Sequence, residues 1–215
     1  EIARSHDCLT IVDAVTSLGG IELKVDLWGI DAVYSGSQKC LSCVPGLSPI
    51  SFSERAIKRI KERTTPVPSW FLDQSLVMDY WSGQGKRSYH HTAPVNSLYA
   101  LHESLVILQN EGLENSWQRH RLMHRQLADG LSELGLEFVV PANERLPQLN
   151  TVYIPQDVDD AKVRGYLLNH YNLEIGAGLG KFAGKAWRIG LMGYGARQEN
   201  VALCLAALKD ALENA

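Results

Sequence analysis

"CLTIVDAV", Cys8 to Val15, and "IDAVYSGSQKCL", Ile30 to Leu41, decide the fold between them. Each opens on a short continuous apolar run, the pattern of a strand buried on both faces of a parallel sheet. Each run leads to a chemically active residue: Asp13 at the carboxyl end of "LTIV", Lys39 just past "DAVYSGS". Ser35, Gly36, Ser37 and Gln38 make a small polar turn in front of that lysine. In open α/β sheets ligands bind outside the carboxyl ends of the strands, so one crevice would receive a carboxylate and an amine. Taken singly, Asp13 reads as a cap or turn residue and Lys39 as a solvated side chain.

Working outward, "LSPISFS" (Leu47 to Ser53) reads as a third buried run of the same parallel kind. Its last serine can cap the basic helix "ERAIKRIKER", Glu54 to Arg63. "TTPVPS" breaks the pattern, and "WSGQGKR" (Trp81 to Arg87) reads as an exposed loop. Pro94 opens a long helix with Val95, Leu98, Tyr99, Leu101, Leu105 and Leu108 at spacings near three and four. Gly112 interrupts it, and a second helix, about Leu113 to Leu134, ends where Gly135 can take the left-handed cap.

Two strands, "LEFVV" and "NTVYI", should follow, then a helix near Asp160 to Asn169, "LEIGAGLG", "KAWRIGL", and a closing helix from Glu199 to Leu212. The fold class is therefore α/β. Residues 1–94 belong to a mostly parallel sheet domain with helices on both faces, 95–111 to a linking helix, and 112–215 to a small α+β domain. The strand pattern begins within a few residues of Glu1, without the preceding βα units that a parallel strand needs beside it. Further chain upstream of Glu1 is expected.

Composition narrows the class. The 215 residues carry a net charge of -3 with 45% hydrophobic and 21% charged residues, ordinary for a soluble globular chain. No basic surface for nucleic acid is implied, since acidic residues outnumber basic ones. No run of about 18 apolar residues suggests a membrane span, and no secretory signal is visible. The four cysteines, Cys8, Cys40, Cys43 and Cys204, are too scattered for a disulfide scaffold and favour a reduced, cytoplasmic protein, with peroxisome or mitochondrion open in a eukaryote. Cys40 and Cys43 form a CxxC, but no second CxxC or spaced histidine pair supports zinc or redox chemistry. Adjacent His90 and His91 should point to opposite faces of an extended segment, so no metal is expected.

Asp13 and Lys39 together suggest pyridoxal 5'-phosphate. That cofactor needs a lysine for its Schiff base and commonly an acid for its pyridine nitrogen. Small residues beside the lysine allow close approach, and Ser37 and Gln38 could donate to a phosphate.

Here a family resemblance enters. "VDAVTSLGGIELKVDLWGIDAVYSGSQKCL" resembles the cofactor segment of class V, fold-type I pyridoxal-phosphate enzymes, and of the alanine–glyoxylate / serine–pyruvate aminotransferases in particular. The similarity continues through "SYHHTAPVNSLYALHESL", "EGLENSWQRHR", "LEIGAGLG" and "WRIGLMGYGA".

The resemblance implies that Asp13 pairs with the ring nitrogen, Lys39 holds the cofactor, and Val15 and Gln38 contact it. It implies that Tyr89 and Thr92 reach the phosphate of a neighbouring subunit's cofactor in a homodimer with shared sites. Arg188 would hold the substrate α-carboxylate, for which its planar fork is suited. Substrates would be a small amino acid, alanine or serine, and a 2-oxo acid, glyoxylate or pyruvate.

Cys40 departs from the small residue many relatives have there. The family's phosphate-cradling glycine turn, ring-stacking aromatic and N-terminal arm have no counterpart in these residues. The 215 residues alone are accordingly expected neither to hold the cofactor tightly nor to transaminate. "GAGLGK" (Gly176 to Lys181) lacks the Ser/Thr and spacing of a phosphate loop and reads as a tight loop near the substrate mouth. The rival readings are another class V activity, such as an aminoethylphosphonate transaminase or a cysteine desulfurase, or a fragment that only dimerises.

Overall fold

In the computed structural model, residues 1–81 and 88–215 are described, so most of the expected loop over Trp81–Arg87 lies outside the described residues. A short helix α1 (Ile2–Ser5) precedes strand β1 (Ile11–Asp13), which pairs in parallel with β2 (Ala32–Tyr34). Ile11 faces Ala32 and Asp13 faces Tyr34, so the two carboxyl ends share one edge.

The third run, β3 (Ile50–Phe52), pairs with β2 antiparallel, against the parallel expectation. The intervening chain supplies no crossover helix. Instead it doubles back, Ser35 N donating to Pro49 O at 2.9 Å and Ser37 N to Leu47 O at 3.0 Å, and extends the antiparallel ladder. Burial on both faces is likewise confined to the middle strand. Ala32 and Val33 of β2 are buried, whereas Ile11 of the edge strand β1 is 72% exposed.

Asp31 fastens this sheet to its flanking helix. The buried carboxylate accepts Thr10 N at 2.9 Å, Ser53 Oγ at 3.1 Å and Arg55 Nη1 at 3.0 Å. Ser53 also caps α2 (Glu54–Lys61) as expected, its hydroxyl accepting Ala56 N at 3.1 Å. Helix α3 (Gln74–Trp81) follows, then α4 (Val95–Glu111) and α5 (Leu113–Glu133). The last two break at Gly112, whose φ of 85° suits glycine, and Gly135 ends α5 with φ 74°.

The remaining elements are β4 (Leu149–Tyr153), α6 (Asp160–Tyr171), β5 (Gly176–Ala177), β6 (Ala186–Gly190) and α7 (Gln198–Asn214). Their sheet runs β4-β6-β5, antiparallel throughout. "LEFVV" makes only a bridge, Phe138 to Val152, because Pro141 follows at once and cannot donate to a ladder. The main apolar core lies here, with Leu127, Leu131, Leu167, Trp187 and Leu208 fully buried. Buried Trp187 satisfies its indole N–H on Asp160 Oδ1 at 2.8 Å, a carboxylate that Arg164 also grips.

Among the described residues, two side-chain hydrogen bonds help tie this part to the first sheet. Ser116 Oγ of α5 donates to Gly19 O at 2.7 Å, and Tyr194 N donates to Ser42 Oγ at 2.8 Å. No described helix is long and apolar enough to cross a membrane.

Candidate active site

Lys39 leaves the edge of β2 from a turn whose serines are committed to the backbone. Ser35 Oγ donates to Ala14 O at 3.0 Å, and Ser37 Oγ donates to Val44 O at 2.7 Å. Ser37 is fully buried, so the expectation that it serves a phosphate is corrected: its hydroxyl is consumed in holding the loop closed. These bonds explain the polar, small-residue composition in front of the lysine. They fix its backbone and leave its half-buried side chain to project.

Asp13, at the neighbouring strand end, is exposed and accepts Val15 N at 2.9 Å through Oδ1, a turn that orients the carboxylate. The same carboxylate beside the Tyr34 phenol raises that phenol's pKa. Gln38 folds back over Gly36, where an added Cβ would lie 2.8 Å from Gln38 Oε1 and 3.4 Å from Val15 Cγ1. Asp13, Val15 and Gln38 are thus gathered around one turn, with half-buried Val15 as the apolar flank.

Arg188 sits in β6, opposite Thr151 on one side and Gly176 on the other. Its Nε donates to Ala177 O at 2.7 Å, and a Cβ on Gly176 would stand 3.2 Å from Nη2. Glycine at 176 therefore makes room for the guanidinium. Among the described residues Arg188 forms no ion pair, which leaves its outer edge for another carboxylate. The second residue of the "GAGLG" loop, Ala177, supplies the carbonyl that holds this arginine. The loop is tight, since a Cβ on Gly178 would collide with Phe182 O.

Tyr89 and Thr92 are exposed and hydrogen-bonded to each other at 2.6 Å. Neither is hydrogen-bonded to the Asp13–Lys39 group among the described residues. His90 and His91 do not diverge as expected: their Nδ1 atoms are 2.8 Å apart. Stacking of His90 on Trp70, centroids 3.9 Å apart, and its Nε2 contact to Trp70 O turn the rings together. Among the described residues no group of three metal-ligating side chains forms. Cys40 is buried, donates to Thr16 O at 3.2 Å, and burial pushes its thiol up to about 11 despite Gly193 N–H, Arg119 and Lys39 nearby.

The sequence pattern does not single out Ser116, Arg119 and His120 of α5, or Ser42. Their signal is a polar stripe at i, i+3, i+4 in "ENSWQRH" on a helix that otherwise turns apolar residues inward.

The donor set fits a pyridoxal-phosphate ring. An amine suits the aldehyde, an acid suits the pyridine nitrogen, an apolar side chain flanks the ring, and an exposed amide suits the phosphate.

The fold is that of an α/β protein with its candidate site at a strand edge, and direct comparison gives the family. The model of the class-V aminotransferases matches residues 1–197, and the chain belongs to that family. It is 44% identical over 216 residues to the alanine–glyoxylate aminotransferase of Rattus norvegicus, covering 100% of this chain and 52% of that protein. It is 40% identical to the (S)-ureidoglycine–glyoxylate transaminase of Bacillus subtilis (strain 168), over 99% of this chain and 55% of that one. The crystal structure of an alanine–glyoxylate aminotransferase from Nostoc sp. superposes with a TM-score of 0.94 at 47% identity, covering 98% of this chain and 55% of that chain. The chain spans about half the length of the curated relatives it matches.

Proposed function

We propose that the whole protein is a pyridoxal-phosphate-dependent aminotransferase that moves an amino group from a small amino acid to glyoxylate or pyruvate. The observation that carries this is the parallel pairing of β1 and β2, which brings Asp13 and the Lys39 turn to one sheet edge. Glyoxylate is favoured as acceptor because two relatives with different amino donors share it in their names. On this reading residues 1–94 belong to the cofactor-binding domain, 95–111 form the linking helix, and 112–215 form the small domain.

Lys39 would hold the cofactor until the amino donor displaces it, and the pyridoxal ring would then serve as the electron sink that eases loss of the substrate Cα proton. Asp13 would hold a proton on the ring nitrogen. Lys39 Nζ, once released, would take the Cα proton as general base and deliver it as acid to the cofactor C4′. Arg188 would clamp the α-carboxylate, its reach set by the Ala177 bond. Gln38 would donate to the phosphate, joined by Tyr89 and Thr92 of a second subunit.

The test is transfer from alanine or serine to glyoxylate by the whole protein, read together with its visible spectrum. No transfer and no change of the cofactor band on adding either donor would overturn the proposal.

A further inference from the structure

Beyond β6 the chain turns back over the Lys39 loop at Gly193, and this turn is fastened from two sides. Gly193 has φ +55°, and a Cβ there would lie 1.9 Å from Ser42 Oγ, 2.9 Å from Cys40 O and 3.2 Å from Lys39 O. The turn thus presses on the backbone that delivers the lysine, and Ser42 Oγ accepts Tyr194 N beside it at 2.8 Å. From the other side Arg119 Nη1 donates to Gly193 O at 2.7 Å and Ala196 O at 3.0 Å. Glu111 of α4 steadies the same guanidinium, Nη2 donating to Oε2 at 2.9 Å.

The remaining polar group of the turn, Gly193 N–H, donates to His120 Nε2 at 2.9 Å. An amide N–H can only donate, so Nε2 carries a lone pair. The proton must sit on Nδ1, which lies 2.7 Å from Ser116 O, a carbonyl that can only accept. Both neighbours therefore dictate one neutral tautomer of a fully buried ring. A second proton would set Nε2–H against Gly193 N–H, two donors face to face, and the contact would have to open.

We propose that His120 is a positioning residue for Lys39 and Arg188. As the neutral Nδ1–H imidazole it pins the Gly193 turn to α5, and the turn holds the Lys39 loop in register with the strand bearing Arg188. Gly193 lies five residues beyond Arg188, and it packs so closely on the Lys39 loop that an added Cβ would stand 3.2 Å from Lys39 O, so a displaced turn moves both partners. The roles of Lys39 and Arg188 rest on the aminotransferase reading; the clasp itself does not. Burial depresses the His120 pKa, aided by Arg119 on its own helix, against the Ser116 carbonyl and Glu111 of α4. Across the turn stand the neutral Cys40 thiol and the Lys39 amine, neither of which favours a cationic ring. The neutral form is therefore kept through ordinary pH and lost only on the acid side.

The experiment compares wild type, His120→Leu, His120→Gln and Ser42→Ala in the whole protein. In cofactor-free protein, imidazole ¹⁵N shifts should show His120 protonated at Nδ1 alone. Amide exchange over residues 39–43 and 191–197 should quicken in His120→Leu and return toward wild type in His120→Gln, whose amide oxygen restores the acceptor. With cofactor, His120→Leu should raise KM for the amino donor about ten- to hundredfold, the range expected for one buried unpaired N–H, with a smaller change in kcat. Ser42→Ala opens the other side of the clasp and should give the same exchange pattern more weakly, so a Leu variant that fails to fold does not end the test. Wild-type His120 protonated at Nε2, or variant exchange equal to wild type in both segments, overturns the inference. A quickened clasp in a protein that transfers no amino group instead overturns the aminotransferase reading.

Discussion

Lys39, Asp13 and Arg188 are each steadied by nearby backbone: the Lys39 turn through Ser35 and Ser37, the Asp13 carboxylate through Val15 N–H, and the Arg188 Nε through Ala177 O. Lys39→Ala in the whole protein should abolish amino transfer and remove the borohydride-trapped lysine adduct, while the fold persists because the turn is held by Ser35 and Ser37. Near-normal turnover in that variant would remove Lys39 from the mechanism. Asp13→Asn keeps an oxygen for Val15 N–H, so the turn should survive. It loses the charge that keeps the ring nitrogen protonated. Cα–H cleavage should slow by several powers of ten, each about 1.4 kcal/mol, and a substrate deuterium isotope effect should emerge. Arg188→Lys keeps charge but loses both the fork and the Nε bond to Ala177 O. Donor KM should rise with cofactor affinity unchanged, and equal loss of both would mark Arg188 as structural.

At the scale of elements, strand ends were readable and so was the parallel pairing of β1 with β2, whereas the direction of β3 was not. An apolar run tells that "ISF" is a strand, but its partner's direction depends on how the preceding loop returns. That return is set by Ser35 and Ser37 bonding to Pro49 and Leu47, which no local pattern encodes. For the same reason Asp13, Lys39 and Arg188 were legible as residues ending or interrupting apolar runs. His120 was not, since its meaning lies in Gly193, 73 residues away. Asp31 shows what such long-range bonding does for stability. Burial opposes its ionisation, but Thr10 N–H, the Ser53 hydroxyl and Arg55 outweigh that and hold its carboxyl below the usual value. The unfolded chain therefore takes up the proton first. Stability from this joint is present above about pH 4, the ordinary carboxylate range, and declines as pH falls through it. Asp31→Asn should lower stability at pH 7 by about 1–3 kcal/mol and flatten the acid limb of the unfolding curve. Parallel acid limbs in the two proteins would exclude this role.

For the molecule as a whole, the site residues fall into groups that no hydrogen bond among the described residues joins. Asp13, Val15, Gln38 and Lys39 share one turn region, whereas Tyr89 and Thr92 bond to each other on an exposed segment. That segment is backed by aromatic packing, with Tyr80 edge-on to Tyr89 at 6.1 Å and Trp70 stacked on His90. Trp70, Phe71 and Trp81 beside it are all more than half exposed. Clustered exposed aromatics of this kind mark a protein-binding surface, and aromatic residues are enriched in the centres of such interfaces. The proposed homodimer, in which Tyr89 and Thr92 cross to the partner's site, would account for both features. Mixing a Lys39→Ala chain with a Tyr89→Phe, Thr92→Ala chain tests it. If the pair acts across the interface, one site of each heterodimer collects every defect and the other is wholly intact. Each inactive parent should then yield heterodimers with about half of wild-type turnover, because one of two sites works. If the pair acts within its own chain, each site carries one defect and verified heterodimers stay as inactive as the parents. Aromatic fluorescence from the exposed Trp70 and Trp81 gives a second reading independent of chemistry. It should shift to shorter wavelength with rising protein concentration as the dimer forms and removes those rings from water.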